Sequence, residues 1–219
     1  MDYLTLKRTL DAKGVKLIAV SKTQPPQRIL NLYEQGQRAF GENRVQEMVP
    51  KYEVLPKDIE WHLIGHLQTN KVKYVAPFVH LIHSVDRFKL LREIDKQAQK
   101  VQRVVDCLLQ FHIAQEETKF GFHEAEAIAM LESEEFRALQ HVRICGVMGM
   151  ATFTDDHQQI RREFRTLRQI FERLKAQYFA HVPHFKEISM GMSGDWEIAV
   201  EEGSTMVRIG SLLFGPRST

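Results

Sequence analysis

Val15-Lys16-Leu17-Ile18-Ala19-Val20-Ser21-Lys22-Thr23 is the stretch on which the fold turns. Its apolar run reads as a buried strand of a parallel sheet. Pro25 and Pro26 follow at once and suit a helix start, so Lys22 falls on a strand-to-helix turn. In α/β folds that edge carries ligands. A lysine half out of water there has its ammonium form disfavoured, and the neutral amine can attack an aldehyde to form a Schiff base. With 30 Lys plus Arg in the chain, most lysines are solvated surface groups, so Lys22 needs support from elsewhere.

Outward from this strand the pattern repeats. Further strands are expected at 38–40, 60–65, 80–85, 104–113, 142–148, 185–190 and 206–210. A helix precedes the first strand, with Leu4, Leu6 and Leu10 as its apolar side. Another runs from about Pro26 to Gln35 and ends at Gly36. A helix through Val45, Met48 and Val49 follows, with Pro50 and Pro56 bracketing a less regular segment. One more opens at Gln68-Thr69-Asn70. Asp86 is the expected N-cap of the helix carrying Phe88, Leu90, Leu91 and Ile94. Helices are also expected over 123–131 and 193–201, with the acidic stretch Glu132 to Glu135 a loop or helix end. In the longest helix, starting near Asp155 or Asp156, Ile160, Phe164, Leu167, Phe171, Leu174 and Tyr178 step by three and four along one face. Eight strands alternating with helices predict a (β/α)8 TIM barrel, a single domain over 1–219. An open doubly wound sheet is the alternative.

A chain of 219 residues, 43% hydrophobic and 26% charged, with a net charge of +2, is ordinary for a soluble globule. Such a balance argues against nucleic-acid or anionic-membrane partners. Cys107 and Cys145, both in apolar strands, read as buried free thiols of a cytoplasmic protein. No signal peptide or membrane-spanning run is visible.

Ser189-Met190-Gly191-Met192-Ser193-Gly194-Asp195 and Val207-Arg208-Ile209-Gly210-Ser211 carry the second informative pattern. Small residues after the seventh strand let a ligand approach the backbone, and N–H groups opening the next helix suit a phosphate. Ser193 adds a hydroxyl, and Gly210-Ser211 repeats the logic after the eighth strand, where barrels often bind phosphate. Arg208 interrupts an apolar strand and cannot shed its charge, so it needs a partner. That partner is either a core carboxylate such as Glu187 or a ring nitrogen of a heterocycle. A Schiff-base lysine, a phosphate cradle and a ring-nitrogen partner together describe pyridoxal 5′-phosphate. His62 and His66 are four apart, but Gly65 and the strand context argue against a helical zinc pair. His80 and His83 fare no better, and no metal site is expected.

Several motifs, in this order, resemble those of the pyridoxal-phosphate homeostasis proteins of the YggS/PROSC family. They are Ala19 to Thr23, Phe40-Gly41-Glu42-Asn43, Trp61 to Lys71, Gly146 to Met150, Ser189 to Ser193, and Val207 to Ser211 with Phe214-Gly215. The resemblance implies a barrel like the N-terminal domain of alanine racemase. It implies that Lys22 holds pyridoxal 5′-phosphate as an aldimine, that Arg208 faces the pyridine nitrogen, that Ser193, Gly210 and Ser211 hold the phosphate, and that Asn43 lines the site near the ring. It also implies a monomeric carrier handing the cofactor to apo-enzymes and having no catalytic residue of its own. The alternative is a low-activity racemase with His62, His66 or Tyr33 as second base, because the sequence stops at Thr219 without the second domain that supplies a racemase's tyrosine.

Overall fold

In the computed structural model, which describes residues 1–117 and 120–216, eight parallel strands close into a barrel in chain order. They are β1 (Lys16–Val20), β2 (Ala39–Glu42), β3 (Glu60–Leu63), β4 (Leu81–Val85), β5 (Val105–Gln110), β6 (Val142–Met148), β7 (Glu187–Ser189) and β8 (Met206–Ile209). α1 (Tyr3–Ala12) leads in. The crossovers are α2 (Pro26–Glu34), α3 (Val45–Val54), α4 (Val72–Val75), α5 (Phe88–Lys100), α6 (Glu124–Leu131) with α7 (Glu134–Arg137), α8 (His157–Tyr178) and α9 (Trp196–Glu201). α10 (Ser211–Phe214) follows β8. Thr219, the last residue of the expected domain, lies outside the described residues.

Strand periodicity sorts the apolar side chains into two cores. Ile18, Ala39, Leu81, Leu108, Cys145, Met148 and Met206 fill the barrel interior. Their outward neighbours, such as Leu17, Phe40, Leu63 and Val207, meet the helices in the larger core. The β7–β8 seam has a single residue pairing, Ser189 with Met206, and side chains complete it. Ser204 Oγ donates to Met190 O at 2.6 Å, and Thr205 Oγ1 accepts from the Ile188 amide at 2.7 Å. Closure therefore costs few unpaired backbone groups.

Local chemistry explains where elements begin and where expectations miss. α8 starts at Asp156, whose carboxylate accepts from the Gln158 and Gln159 amides. Its buried face takes Ile170 in place of Phe171 and includes Glu163, which receives the Thr152 amide at 2.6 Å. Asp86 does not cap α5. Arg87 occupies that position without a side-chain cap, and Asp86 turns to Arg87 and His66. Leu4 is exposed, and Tyr3 takes its place beside Leu6 and Leu10. α3 runs through Pro50, where only one intrahelical hydrogen bond is forgone. Glu132 ends α6 as its C-cap, as expected, whereas Glu134 and Glu135 open a short helix of their own, α7, capped by Ser133. Cys107 and Cys145 are buried free thiols. Among the described residues no helix is long and apolar enough to cross a membrane.

Candidate functional site

The C-terminal ends of four neighbouring strands carry most of the expected site. β1 pairs with β8 through Ile18–Arg208 and Ala19–Ile209, and with β2 through Val20–Gly41. Continuing that register puts Lys22 on the rim between Gly210-Ser211 on one side and Asn43 on the other, with Ser193 beyond β7. Lys22 is partly buried on its turn. The next residue, Thr23, has φ of +66°, a conformation few residues other than glycine adopt. Its amide is held by Glu47 Oε2 at 2.8 Å, so α3 fixes the turn on which Lys22 sits.

Beneath this turn lies a buried ion pair that the sequence reading missed. Lys51 Nζ donates to Glu42 Oε1 at 2.5 Å and to Ser21 O at 2.8 Å. Ser21 Oγ donates to the same carboxylate at 2.8 Å. Burial pushes the Glu42 carboxyl up, and Lys51 and Ser21 pull it back. The pair ties the residue before Lys22 to the residue before Asn43. Glycine at 65 is required for that second anchor, since a Cβ there would come within 2.3 Å of Asn43 O.

Arg208 is buried inside the barrel, and its partners are neutral. Nη1 donates to Ser189 Oγ at 2.5 Å and Nη2 to Gly149 O at 3.2 Å. Glu187, the alternative carboxylate partner, instead accepts from Thr205 Oγ1 at 2.6 Å. Burial pulls the Arg208 pKa down to about 10, so the cation persists at neutral pH. Two of its five N–H groups are used by these bonds, leaving donors for a ligand. The contact with Ser189 continues inward. Ser189 Oγ is 2.9 Å from His83 Nδ1, and His83 Nε2 is 2.8 Å from His62 Nδ1. Burial drives both imidazoles well below their usual pKa, keeping them neutral.

At the rim after β7 and β8, the Gly210 amide donates to Ser193 Oγ at 3.3 Å, bringing the two expected phosphate turns together. The helix expected from Ser193 begins three residues later, at Trp196. The Asp195 carboxylate takes the Met192 amide at 2.7 Å, so the turn between strand and helix is closed by a side chain. α10 heads directly out of Gly210, and the first N–H groups of a helix lack intrahelical acceptors. A cleft of about 390 Å³ adjoins the rim on the other side of Asn43, lined also by Arg44, Glu47, His66 and Lys71.

The proposed second bases scatter. Tyr33 donates to Asp58 at 2.6 Å from the outer helix α2, away from the rim. His62 is sealed in the barrel. His66 stacks on Phe120 with ring centroids 4.0 Å apart. Strand parity with Leu81 was the available signal for His83, whereas nothing local marks Lys51 as reaching Ser21, thirty residues away.

The family model for the N-terminal domain of alanine racemase matches residues 2–218. A protein of Aquifex aeolicus named pyridoxal phosphate homeostasis protein is 46% identical over 203 residues, covering 92% of this chain and 87% of that one. PipY of Synechococcus elongatus superposes without PLP at a TM-score of 0.88 with 38% identity, covering 97% of both chains. Its form with PLP bound gives 0.85 and 37%, over 97% of this chain and 98% of that one. Alanine racemase from Bartonella henselae, with covalently bound pyridoxal phosphate, shares the fold at a TM-score of 0.70 and 16% identity, over 97% of this chain and 59% of its own.

Proposed function

This chain belongs to the pyridoxal phosphate homeostasis protein family, and from that premise we propose that it holds pyridoxal 5′-phosphate at Lys22 and buffers or delivers it to apo-enzymes. The observation that carries the reading is a rim where Lys22 stands between a pair of amide and hydroxyl turns and Asn43, with a buried cation, Arg208, in the barrel beneath. When bound, the cofactor supplies an aldehyde that condenses with a primary amine and a pyridine ring that can take up electrons.

The donor set fits that group. Ser193 and Ser211 offer hydroxyl and amide groups to a phosphate at the loops after strands seven and eight, and the Gly210 amide, which in the structure donates to Ser193 Oγ, sits between them. A Cβ on Gly210 would press to 3.2 Å of Val20 O, so glycine there lets the end of β8 lie close against β1, beside Lys22. Asn43 Oδ1 is buried without a protein donor among the described residues, so it can accept from a ligand hydroxyl. Arg208, still charged at neutral pH, serves as donor to the ring nitrogen and keeps that nitrogen unprotonated. An unprotonated ring is a weak electron sink, which favours carriage over catalysis. Tyr33 and His62 lie away from the rim, so neither serves as a racemase's second base.

On this reading the chain works in the cytoplasm as a monomer, meeting apo-enzymes transiently. Two measurements test it together. Adding the cofactor to the protein is expected to produce a visible absorbance band that Lys22→Ala lacks. Turnover of alanine and serine enantiomers is expected to stay at the rate of free cofactor. An unchanged band in Lys22→Ala overturns the attachment, and stereospecific turnover above that rate overturns the carrier role.

A further inference from the structure

We propose that Glu60, His62 and His80 form a site for a divalent transition metal at the N-terminal mouth of the barrel, with Zn²⁺ the ion that their donors suit. The site is independent of Lys22, which stands at the opposite end of the strands. Glu60 opens β3, His62 follows two residues on and so faces the same way, and His80 directly precedes β4, its amide bonded to Trp61 O at 2.8 Å. Each residue offers one donor atom, and the three atoms lie within 4.8 Å of one another. Around a tetrahedral zinc with bonds of about 2.0–2.2 Å, ligand atoms sit roughly 3.3 Å apart. His80 Nε2 and Glu60 Oε2 are already 2.8 Å apart, so side-chain shifts within ordinary rotamer freedom complete the set.

The second observation is an atom left over. His62 uses Nδ1 on His83, and its Nε2 is fully buried with no partner among the described residues. A buried ring nitrogen without a partner is costly, and a metal ion satisfies it. Ligation at Nε2 requires the proton on Nδ1, and Nδ1 has an acceptor in His83 Nε2. A metal-bound histidine usually has such a second partner, which fixes its tautomer. The remaining requirement is a deprotonated donor set. His62 Nε2 and His80 Nε2 each bind an ion as neutral imidazole nitrogens, so metal uptake releases any proton that His80, 2.8 Å from Glu60 Oε2, holds toward that carboxylate. Two nitrogens and one carboxylate oxygen make a three-ligand zinc set with a fourth position open to water. Lys16 Nζ, 3.1 Å from Glu60 Oε2, is the competitor that the ion displaces.

The strand context explains why histidine spacing hid the cluster. Spacings of four and three are those of helical ligands, whereas this set comes from adjacent strand starts.

The test is calorimetric titration of the chelator-treated protein with Zn²⁺ alone, with bound metal counted by mass spectrometry. Wild-type protein is expected to take up one equivalent and to melt at a higher temperature when loaded. Glu60→Gln and His80→Ala, both changes at the barrel mouth that leave the core intact, are expected to weaken binding by more than the roughly tenfold that losing an outer-shell partner brings. Lys16→Ala is expected to tighten it. Absence of stoichiometric uptake overturns the site, as does binding that His80→Ala leaves unchanged, which would belong to other histidines, or a Lys16→Ala variant that binds more weakly. Capture of the cofactor at Lys22, measured alongside, reports separately on the other end of the barrel.

Discussion

Lys51 and Arg208 are both buried cations within the reach of one barrel, and they are compensated in opposite ways. Lys51 has an anion, Glu42, at 2.5 Å, and a carbonyl at 2.8 Å. Arg208 hydrogen-bonds to a serine hydroxyl and a backbone carbonyl, with neutral histidines behind them and the Asp195 carboxylate favouring its charge. A buried charge with its counter-ion beside it is part of the scaffold, because either partner alone is an uncompensated charge. A buried cation on neutral partners is costly to keep, and its retention beside the rim points to a ligand that uses it. The first holds the turn bearing Lys22, and on the proposed reading the second lies beneath the bound ring.

The contrast can be broken by removing each cation in turn. Lys51→Met leaves Glu42 buried without its partner and is expected to cost about 3–5 kcal/mol in denaturant unfolding. Arg208→Met is expected to cost less than about 1 kcal/mol, or to stabilise, since the hydrogen-bond partners of the removed charge are a hydroxyl and a carbonyl rather than a paired carboxylate. Cofactor affinity should show the reverse order for Arg208, weakening by roughly tenfold or more in equilibrium titration as a charged hydrogen bond is lost. An Arg208→Met protein as unstable as Lys51→Met would erase the distinction.

Acid sharpens the same comparison through the histidines behind Arg208. His62 and His83 stay neutral in the folded barrel at pH values where the unfolded chain, with histidines near 6.5, takes up protons. The unfolded state therefore binds more protons as pH falls below about 6.5, and stability is lost on that side. Each histidine contributes up to about 1.4 kcal/mol per pH unit. Unfolding midpoints measured from pH 7 to 5 should fall, and His83→Gln should flatten the slope. An equal slope in that variant would remove the buried chain from the account. The smallest effect is expected at the rim, where Ser193→Ala should weaken cofactor binding about fivefold, for a hydrogen bond of about 1 kcal/mol, with stability unchanged.

Much of this was legible in the chain itself, for physical reasons. Buried parallel strands are continuous apolar runs, so 15–20 and 142–148 announce themselves, and their alternation with helices fixes a barrel. The rim positions of Lys22, Gly210 and Ser211 were readable because each follows the end of an apolar strand. The direction of Arg208 was readable too, from its parity in an apolar strand, but its partner was not. A carboxylate at 187 and a hydroxyl at 189 have the same inward parity, and only the closed seam shows that Thr205 claims Glu187. Lys51 and Glu42 come from separate elements, and His80 joins Glu60 and His62 of β3 from the start of the next strand, so no local spacing encodes either meeting. The misplaced start of α9 has a similar source, since Asp195 closes the turn with its side chain before the helix begins.

The most direct measurement is borohydride reduction of the protein mixed with pyridoxal 5′-phosphate, followed by proteolysis and peptide mapping. The account predicts one reduced pyridoxyl phosphate group per chain, on the peptide containing Lys22, and none in Lys22→Ala. Label found on Lys51 or spread over surface lysines, with the Lys22 peptide unmodified, would contradict it.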